Sequence, residues 1–270
     1  MAKIRLDILV QKHQSISREK AQALILAGLV EIDGKLIDKP GTKIDETSDI
    51  KLKDKGLKYV SRGGLKLEKA INDFNIDFTN KIVLDVGAST GGYTDCALQN
   101  GAAKVIAVDV GYGQLDWKLR QNPKVVNLER TNIRYLTIKD IREKVDIATM
   151  DVSFISTIKV YPVLKELLLE NGEIVSLIKP QFEAGKDKVG KNGVVRNSNV
   201  HIEVLENCIK AAEDEGLYCN GVSYSPITGP KGNIEYFIYL KKSSVFHQDI
   251  KNAIKEAVDK AHETVEGKHN

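Results

Sequence analysis

The stretch that decides the fold is Lys81-Ile82-Val83-Leu84-Asp85-Val86-Gly87-Ala88-Ser89-Thr90-Gly91-Gly92-Tyr93-Thr94. An apolar run passes into a glycine turn, and a helical stretch follows over 92–100. A strand that leads through glycines into a helix is typical of open α/β sheets, which bind ligands at the carboxyl ends of their strands. The stretch therefore predicts an α/β domain with a ligand site at the glycine turn.

The same alternation continues along the chain. Further runs rich in Val and Ile lie at 104–110, 124–128, 145–152 and 173–179. Helical stretches lie between several of these runs, at 115–121 and 158–170. Strands that alternate with helices predict a parallel sheet covered on both faces. After a helix over 200–216, the runs 218–224 and 235–241 complete a mostly parallel, seven-stranded sheet with an antiparallel edge hairpin.

Residues 1–57 predict a separate, smaller α+β domain. Helical spacing extends over 3–13 and again from Arg18 to Ala27, with Ser17 as the N-cap of the second helix. Asp33-Gly34 between two alternating runs predicts a hairpin. We expect a linker over 58–64, the α/β domain over 65–245, and a polar C-terminal helix of weak amphipathicity over 246–270.

Composition and charge narrow the class of protein. The 270 residues are 42% hydrophobic and 29% charged, which is globular composition and argues against a disordered chain. The net charge is +3, and the first 60 residues hold all of it, with 12 basic and 9 acidic side chains. A small basic module suggests an anionic partner, although a lysine-rich solvated surface gives the same count.

Export and membrane insertion are not expected. The three cysteines, Cys96, Cys208 and Cys219, have no metal-ligand spacing and fit a reducing cytoplasm. The longest apolar run, 23–30, is too short to span a bilayer. Charged residues interrupt the first 20 positions, where a signal peptide would lie. We therefore expect a cytoplasmic protein with no membrane partner.

The glycine turn has features of an S-adenosylmethionine site. Its glycines do not follow the G-x-G-x-x-G spacing of a dinucleotide site, and the acidic residue before it suits a cationic or zwitterionic ligand. A carboxylate at the end of the next strand can accept both hydroxyls of a ribose. A structural tight turn in another α/β enzyme is the alternative. The expected cofactor-binding residues are Asp85, Gly87, Ala88, Ser89, Gly91, Gly92, Tyr93, Asp109 and Asn132.

Two lysines and two carboxylates fall where they could meet at one edge of the sheet. Asp151 and Lys179 end predicted strands, Lys66 follows the linker, and Glu235 opens the last strand. Deprotonating a ribose hydroxyl needs a strong base, and a lysine acts as one only when burial or a second cation lowers its pKa. Singly, each residue is more simply a surface ion pair; together they indicate a catalytic site.

As a set, these motifs resemble a known family. The α/β part resembles the FtsJ-type ribose 2′-O-methyltransferases. Residues 3–241 resemble the TlyA (hemolysin A) family, which joins an S4 RNA-binding domain to such a methyltransferase. The segments that carry the resemblance are Arg5-Leu6-Asp7, Ser17-Arg18, Asp33-Gly34, 61–67, 85–92, 150–156, 179–183 and 229–235.

The resemblance implies a Rossmann-like class I methyltransferase fold with a catalytic tetrad at Lys66, Asp151, Lys179 and Glu235. Lys179 is then the general base on a ribose 2′-hydroxyl, Asp151 and Lys66 hold and tune it, and Glu235 orients the ribose. The implied methyl donor is S-adenosylmethionine, and no metal is required. The implied partner is ribosomal RNA or a ribosomal subunit, methylated at cytidine, and we expect the protein to be a monomer.

Basic residues at two places predict contacts with RNA phosphates. In the N-terminal module they are Arg5, Lys12, Arg18 and Lys20. In the α/β domain they are Arg62, Lys188 and Lys191. We expect the segment that carries the last two to order on RNA; a solvated charged loop is the alternative.

Three other functions share parts of this pattern. A non-catalytic ribosome assembly factor would keep the fold but would not need the tetrad. A cytolysin, which the hemolysin name suggests, would need an export signal or a membrane-active segment. A pseudouridine synthase can carry an S4 module but would lack the loop over 85–92.

Overall fold

The computed structural model describes residues 3–26, 28–52, 58–242 and 249–266. The chain divides into two compact units, Met1–Lys58 and Tyr59–Asn270. The domain boundaries expected at 57 and 245 fall outside the described residues and stay predictions. Of the expected linker over 58–64, residues 59–64 lie in the second unit, where Tyr59 is buried and Gly63 already begins a helix.

The first unit combines two helices with two small antiparallel sheets. Its elements are β1 (Lys3–Arg5), α1 (Leu6–Gln14), α2 (Arg18–Leu26), β2 (Val30–Ile32), β3 (Lys35–Leu36), β4 (Lys43–Asp45) and β5 (Ile50–Leu52). β1 pairs with β4, and β2 lies between β3 and β5. Apolar side chains from both helices and from β2 and β5 form one core, so the unit has its own hydrophobic centre.

Turn and cap residues behave as predicted in this unit, but its first residues do not. Asp33 and Gly34 have positive φ and form the β2–β3 turn, and Ser17 accepts a hydrogen bond from the Lys20 N–H, as an N-cap does. The prediction of a helix from residue 3 is wrong. Residues 3–5 form β1, because they pair with β4. This partner is distant in sequence, so the local spacing of apolar residues could not reveal the strand. The predicted helix end at Ala27 lies outside the described residues.

The second unit is built on a seven-stranded sheet. Its strands are β6 (Ile82–Val86), β7 (Lys104–Val108), β8 (Val125–Leu128), β9 (Val145–Met150), β10 (Leu168–Ile178), β11 (Tyr218–Tyr224) and β12 (Tyr236–Lys241). Their order is β11-β12-β10-β9-β6-β7-β8. Neighbours from β10 to β8 are parallel, and β12 is antiparallel to both β10 and β11. The mostly parallel sheet and its antiparallel edge hairpin are confirmed.

Helices cover both faces of this sheet. They are α3 (Gly63–Phe74), α4 (Gly92–Gln99), α5 (Trp117–Arg120), α6 (Ile138–Ile141), α7 (Tyr161–Leu167), α8 (Pro180–Glu183), α9 (Ser198–Asp214) and α10 (Ile250–Glu266). Alternate residues of β6 show the division, because Val83 packs in a core with α3 and α4 while Leu84 packs in a core with α7, α9 and α10. Both faces of the strands are therefore buried, which is why they appear in the sequence as unbroken apolar runs.

Two predicted helices are shorter than expected. Only Trp117–Arg120 of the stretch 115–121 is helical. The stretch 158–170 contains part of a 3-10 turn and then α7, and β10 already begins at Leu168, which pairs with Val145 of β9. The last residues of the stretch 158–170 pair with β9 and therefore belong to the sheet. The local spacing of apolar residues does not reveal this pairing.

The C-terminal helix is not the weakly amphipathic element expected over 246–270. α10 carries Ile254, Ala257, Val258 and Ala261 on one stripe, and each is at most 5% exposed in the core of the second unit. The Lys and Glu residues between them conceal this spacing of three and four in the sequence. None of the described helices is long and apolar enough to cross a membrane.

Candidate active site

The carboxyl edge of the sheet brings the four predicted tetrad residues together. Asp151 follows β9 and Lys179 follows β10. Glu235 precedes β12, whose antiparallel direction brings its first residue level with the end of β10, where Ile178 pairs with Tyr236. Lys66 reaches the same place from α3. Adjacent strand ends and one helix therefore hold the cluster.

The four side chains form a chain of ion pairs. Lys179 Nζ lies 2.5 Å from one oxygen of Asp151, and Lys66 Nζ lies 3.5 Å from the other. Lys66 Nζ also lies 2.6 Å from Glu235 Oε2. Lys179 Nζ donates a second hydrogen bond, of 2.9 Å, to the Ser153 hydroxyl. Asp151 is thus shared by two lysines, and each lysine has one further partner.

Burial makes the Lys66–Glu235 end of this chain the most tightly held. The Glu235 side chain has no exposed surface, and burial raises its pKa, against the opposing effect of the Lys66 ammonium. Burial lowers the pKa of Lys66, but the Asp151 and Glu235 carboxylates more than offset it, so the pKa of Lys66 lies above its ordinary value. Lys66 is therefore a fixed cation at neutral pH and unsuited to act as a base.

The glycine turn touches the tetrad directly. Gly87 has φ 83°, and a Cβ at this position would lie 2.6 Å from the backbone oxygen of Asp151. Any larger residue would be strained and would push the segment after β9 away from the turn. Gly87 therefore fixes the distance between the turn and Asp151.

Asp85 does not lie where the sequence suggested. It shares the Val83 face of β6, under α4, and it lines neither of the cavities beside the turn. Its oxygens accept hydrogen bonds from the hydroxyls of Thr94, at 2.6 Å, and Thr149, at 3.2 Å. Burial raises its pKa to about 7. The expectation that Asp85 contacts a ligand is not supported, because strand alternation turns its side chain into the core, where it ties β6 to α4 and β9.

Two cavities meet at the glycine turn. One, of about 600 Å³, is lined by the tetrad, by the start of α3 and by Gly87, Ala88, Ser89, Gly92 and Tyr93. The other, of about 470 Å³, is lined by residues that include Asp109, Gln114, Asn132 and Phe154. Gly87, Ser89, Asp151 and Ser153 line both. The turn thus lies in one crevice that extends from the tetrad to the end of β7.

Backbone groups preorganise the second cavity. Asp109 accepts hydrogen bonds from the Ser89 N–H at 2.8 Å and from the Gly111 N–H at 2.6 Å. Asn132 caps the 3-10 turn Ile133–Tyr135 by accepting a bond from the Arg134 N–H. Both side chains are held in place, and a carboxylate has lone pairs left for further donors such as ribose hydroxyls.

The first cavity has an electropositive wall. α3 and α4 both begin at this cavity. No side chain of an N-cap residue caps either helix, because Arg62 makes no such hydrogen bond and Gly91 has no side chain. A Cβ at Gly92 would collide with Ser61, so the two helix starts are in contact. The positive ends of the two helix dipoles favour an anionic group there.

Tyr93 forms part of the wall of that cavity. It is 4% exposed, and its hydroxyl is buried with no hydrogen-bond partner in the described part of the chain. Burial holds the pKa of Tyr93 well above its ordinary value, and the charges of Asp151 and Glu235 add to the effect. The phenol therefore stays protonated.

The basic residues predicted to contact RNA have different surroundings. In the first unit Arg5 and Arg18, each with a half-exposed side chain, both donate to the fully buried Asp7, whereas Lys12 pairs with Glu46. Lys20 is exposed on α2. In the second unit Arg62 lines the first cavity, Lys188 pairs with Glu203, and Lys191 is exposed in a 3-10 turn. The structure brings only Arg5 and Arg18 into one cluster.

Two residues of this site were missed in the sequence. Ser153 binds Lys179, and Phe154 lies beside it with φ 64° and a ring that is 92% exposed. The Phe154 ring lies 5.1 Å from that of Phe182. Both residues follow Asp151 closely in the sequence, and this proximity could have indicated that they belong to the site. The sequence alone does not show whether a phenylalanine is exposed or buried in the core.

Comparisons with known proteins agree with this architecture. The FtsJ-like methyltransferase family matches residues 59–242, and the S4 domain family matches residues 4–50. A Bacillus subtilis (strain 168) protein, provisionally named rRNA methyltransferase YqxC, is 48% identical over 98% of this chain and 96% of its own length.

Two further relatives also match most of the chain. The 16S/23S rRNA (cytidine-2′-O)-methyltransferase TlyA of Mycobacterium tuberculosis (strain ATCC 25618 / H37Rv) is 44% identical over 86% of this chain and 87% of its own. The solved structure of a provisionally named hemolysin from Streptococcus thermophilus has a TM-score of 0.80 and 45% identity, covering 100% of this chain and 99% of that one. On these matches the chain belongs to the TlyA (hemolysin A) family, in which an S4 domain precedes an FtsJ-like methyltransferase domain.

Proposed function

We propose that this protein transfers the methyl group of S-adenosylmethionine to the 2′-hydroxyl of a cytidine in ribosomal RNA. The observation that carries the proposal is the chain of contacts from Glu235 through Lys66 and Asp151 to Lys179, beside a glycine turn at the carboxyl edge of the sheet. The name of the M. tuberculosis relative supports cytidine in rRNA as the acceptor.

The two cavities suit the two halves of S-adenosylmethionine. Asp109 would hold the ribose hydroxyls, with Asn132 beside it in the second cavity. The amino-acid half would lie in the first cavity, where the starts of α3 and α4 favour its carboxylate and the Tyr93 side chain forms part of the wall. When bound, the cofactor supplies a methyl group activated by a positively charged sulfur.

Lys179 is the base in this proposal. Lys66 remains cationic between Asp151 and Glu235, so the cluster keeps one permanent positive charge when Lys179 gives up its own proton. The neutral amine at Lys179 Nζ then accepts the proton of the 2′-hydroxyl as that oxygen attacks. The Ser153 and Asp151 contacts hold Nζ in place, so that base and acceptor are aligned before reaction.

An RNA acceptor is supported by features in each unit. In the first, Arg5 and Arg18 are fixed around Asp7 with their guanidinium groups half exposed, as phosphate contacts require. In the second, the exposed Phe154 ring offers a stacking face for an unpaired base next to the crevice. Ribosomal RNA as the partner also favours a cytoplasmic location.

The test is transfer of labelled methyl from S-adenosylmethionine to rRNA from cells that lack this protein, with the modified ribose mapped by reverse transcription at limiting nucleotide. We expect the wild type to label one 2′-oxygen and Lys179→Ala to lose at least about 100-fold in rate. Lys104→Ala is the matched control, because this lysine pairs with Glu143 at the opposite edge of the sheet.

Each contrary result points to a different error. Label retained in Lys179→Ala would keep the enzyme and reject Lys179 as its base. Cofactor binding without transfer to free rRNA or to either subunit would favour the non-catalytic assembly factor, which needs the fold but not the tetrad.

A further inference from the structure

The segment 151–157 carries much of the site, and the partly buried Val152 and Ile155 pack against the core on either side of residues 153 and 154. It starts at Asp151, whose N–H donates to the Val86 carbonyl at 3.0 Å. Phe154 then adopts left-handed backbone, which costs free energy for a residue with a β-carbon, and its exposed ring is not held by burial. Such a conformation persists only where contacts from elsewhere impose it.

Glu183 supplies the contact at the far end of this segment. Its Oε1 accepts two hydrogen bonds from Thr157, one of 2.8 Å from the backbone N–H and one of 3.0 Å from the hydroxyl. Thr157 is 2% exposed, so these bonds are shielded from water. Glu183 therefore fixes the end of the segment much as Val86 fixes its start.

Glu183 also belongs to the short helix that begins at Lys179. Lys179 is the N-cap residue of α8 and Glu183 is its last residue. Lys179 binds Asp151 and Ser153 near the start of the segment, Phe182 meets the Phe154 ring in the middle, and Glu183 binds Thr157 at the end. α8 and its N-cap residue therefore contact the segment at three places, through the Lys179 amine, the Phe182 ring and the Glu183 carboxylate.

Burying the carboxylate of Glu183 costs desolvation free energy that an apolar side chain would not. Its second oxygen, Oε2, is buried and has no hydrogen-bond partner among the described residues. A hydrocarbon side chain of similar size would avoid this desolvation. The compensating gain lies at Thr157, where the other oxygen makes both of its bonds.

We propose that Glu183 is a positioning residue, which acts through Thr157 to hold Asp151, Ser153 and Phe154 in register with Lys179. The inference rests on the proposed function, in which Lys179 is the base. It requires the oxygen acceptor of Glu183 rather than its charge, so a carboxamide at this position should serve nearly as well.

The experiment compares Glu183→Ala, Glu183→Asp and Glu183→Gln with the wild type, with Glu143→Ala as the matched control on the surface ion pair with Lys104. Glu183→Asp keeps the charge, but its side chain is one methylene group shorter, so its carboxylate lies farther from Thr157. This variant therefore tests the same contact if Glu183→Ala does not fold. The measurements are kcat and KM for rRNA, the Kd of S-adenosylmethionine, and hydrogen exchange of the Thr157 amide.

We expect kcat to fall by about 100-fold in the Ala and Asp variants, since small misplacements at a reacting centre have effects of that size. The cofactor Kd should stay within about threefold, because Asp109 and Asn132 lie outside the segment. KM for rRNA should rise, because Phe154, the proposed stacking face for a base, is no longer held in place. The Thr157 amide should exchange at least about tenfold faster. Glu183→Gln and Glu143→Ala should match the wild type in all four measurements.

Three results would overturn the positioning role. Unchanged exchange at Thr157 in Glu183→Asp would show that Glu183 does not hold the segment. Faster exchange with an unchanged kcat would show that holding the segment does not matter to the reaction. A Gln variant as slow as Ala would show that charge is what matters. If the wild type transfers no methyl, the proposed function fails, and the exchange result still decides whether Glu183 holds Thr157.

Discussion

Asp151 distinguishes the two lysines of the tetrad at the scale of single residues. One of its oxygens contacts Lys179 and the other contacts Lys66, but only Lys66 has a second carboxylate, the buried Glu235. Two anionic neighbours keep Lys66 protonated, whereas the second partner of Lys179 is the neutral hydroxyl of Ser153. The geometry therefore places one amine between two carboxylates and gives the other a carboxylate and a neutral hydroxyl, which supports the proposal that Lys179 is the base.

Asp85 leads to a prediction about pH and stability. Burial raises its pKa to about 7, while an unfolded Asp titrates near 3.9. Between these values the folded state binds a proton that the unfolded state does not, so the free energy of unfolding falls as pH rises, by at most about 4 kcal/mol. Asp85→Asn cannot titrate, so its stability relative to the wild type should increase from pH 4.5 to pH 8.

Urea denaturation of both proteins at several pH values measures that difference. Comparing the variant with the wild type cancels the other titrating groups, which the two proteins share. A stability difference that is flat between pH 4.5 and pH 8 would mean that Asp85 is ionised throughout, and that Thr94 and Thr149 stabilise its charge more than burial opposes it.

Sequence reasoning reached the tetrad but not the residues that hold it. Parallel topology brings Asp151 and Lys179, which follow neighbouring strands, to one edge of the sheet. Glu235 joins them because β12 is antiparallel to β10, and Lys66 comes from α3. The contact of Glu183 with Thr157 joins two loops through side chains, and no periodicity encodes it. The sequence also does not show which face of β6 carries Asp85, and in the structure this side chain lies in the core, bonded to Thr94 and Thr149.

Whole elements were predictable where burial is continuous along the chain. The strands of the central sheet are covered on both faces, and their runs of Val and Ile locate them within a few residues. β1 is exposed at its ends and depends on a distant partner, so helical spacing mispredicts its residues. α10 was located, but its buried stripe was hidden among charges.

That stripe predicts that α10 is part of the fold of the second unit. Ile254 is 1% exposed and packs in the core with α9 and β11 side chains, so Ile254→Ala should lower the free energy of unfolding by about 2–5 kcal/mol. Lys255→Ala, on the exposed face of the same helix, should change it by no more than about 0.5 kcal/mol. Chemical denaturation followed by circular dichroism measures both, and equal stabilities of the two variants would place α10 outside the cooperative core.

At the scale of the whole molecule, charge and chemistry lie in different units. The net positive charge lies in the first 60 residues, while the ion pairs of the tetrad lie in the second unit. Within the first unit Asp7 is fully buried, and hydrogen bonding from Arg5, with Gln22 and Arg18 in support, holds the pKa of Asp7 well below its ordinary value. The Asp7 carboxylate keeps both arginines in place, and such preorganisation would favour the phosphate contacts that we propose for them.

This division predicts that Arg18→Ala weakens RNA binding without slowing the reaction. Arg5 and Gln22 still satisfy Asp7 in that variant, so the first unit should stay folded. Each lost phosphate contact lowers the slope of log affinity against log salt by about 0.7–0.9, so the slope should fall by about that much and KM for rRNA should rise. The rate at saturating rRNA should equal that of the wild type, because Arg18 belongs to a different unit from the tetrad.

Lys51→Ala, which removes an exposed lysine of β5 paired with Asp49, is the control for lost charge alone. A slope equal to that of the wild type would show that Arg18 touches no phosphate, and a lower rate at saturation would show that the first unit takes part in the chemical step.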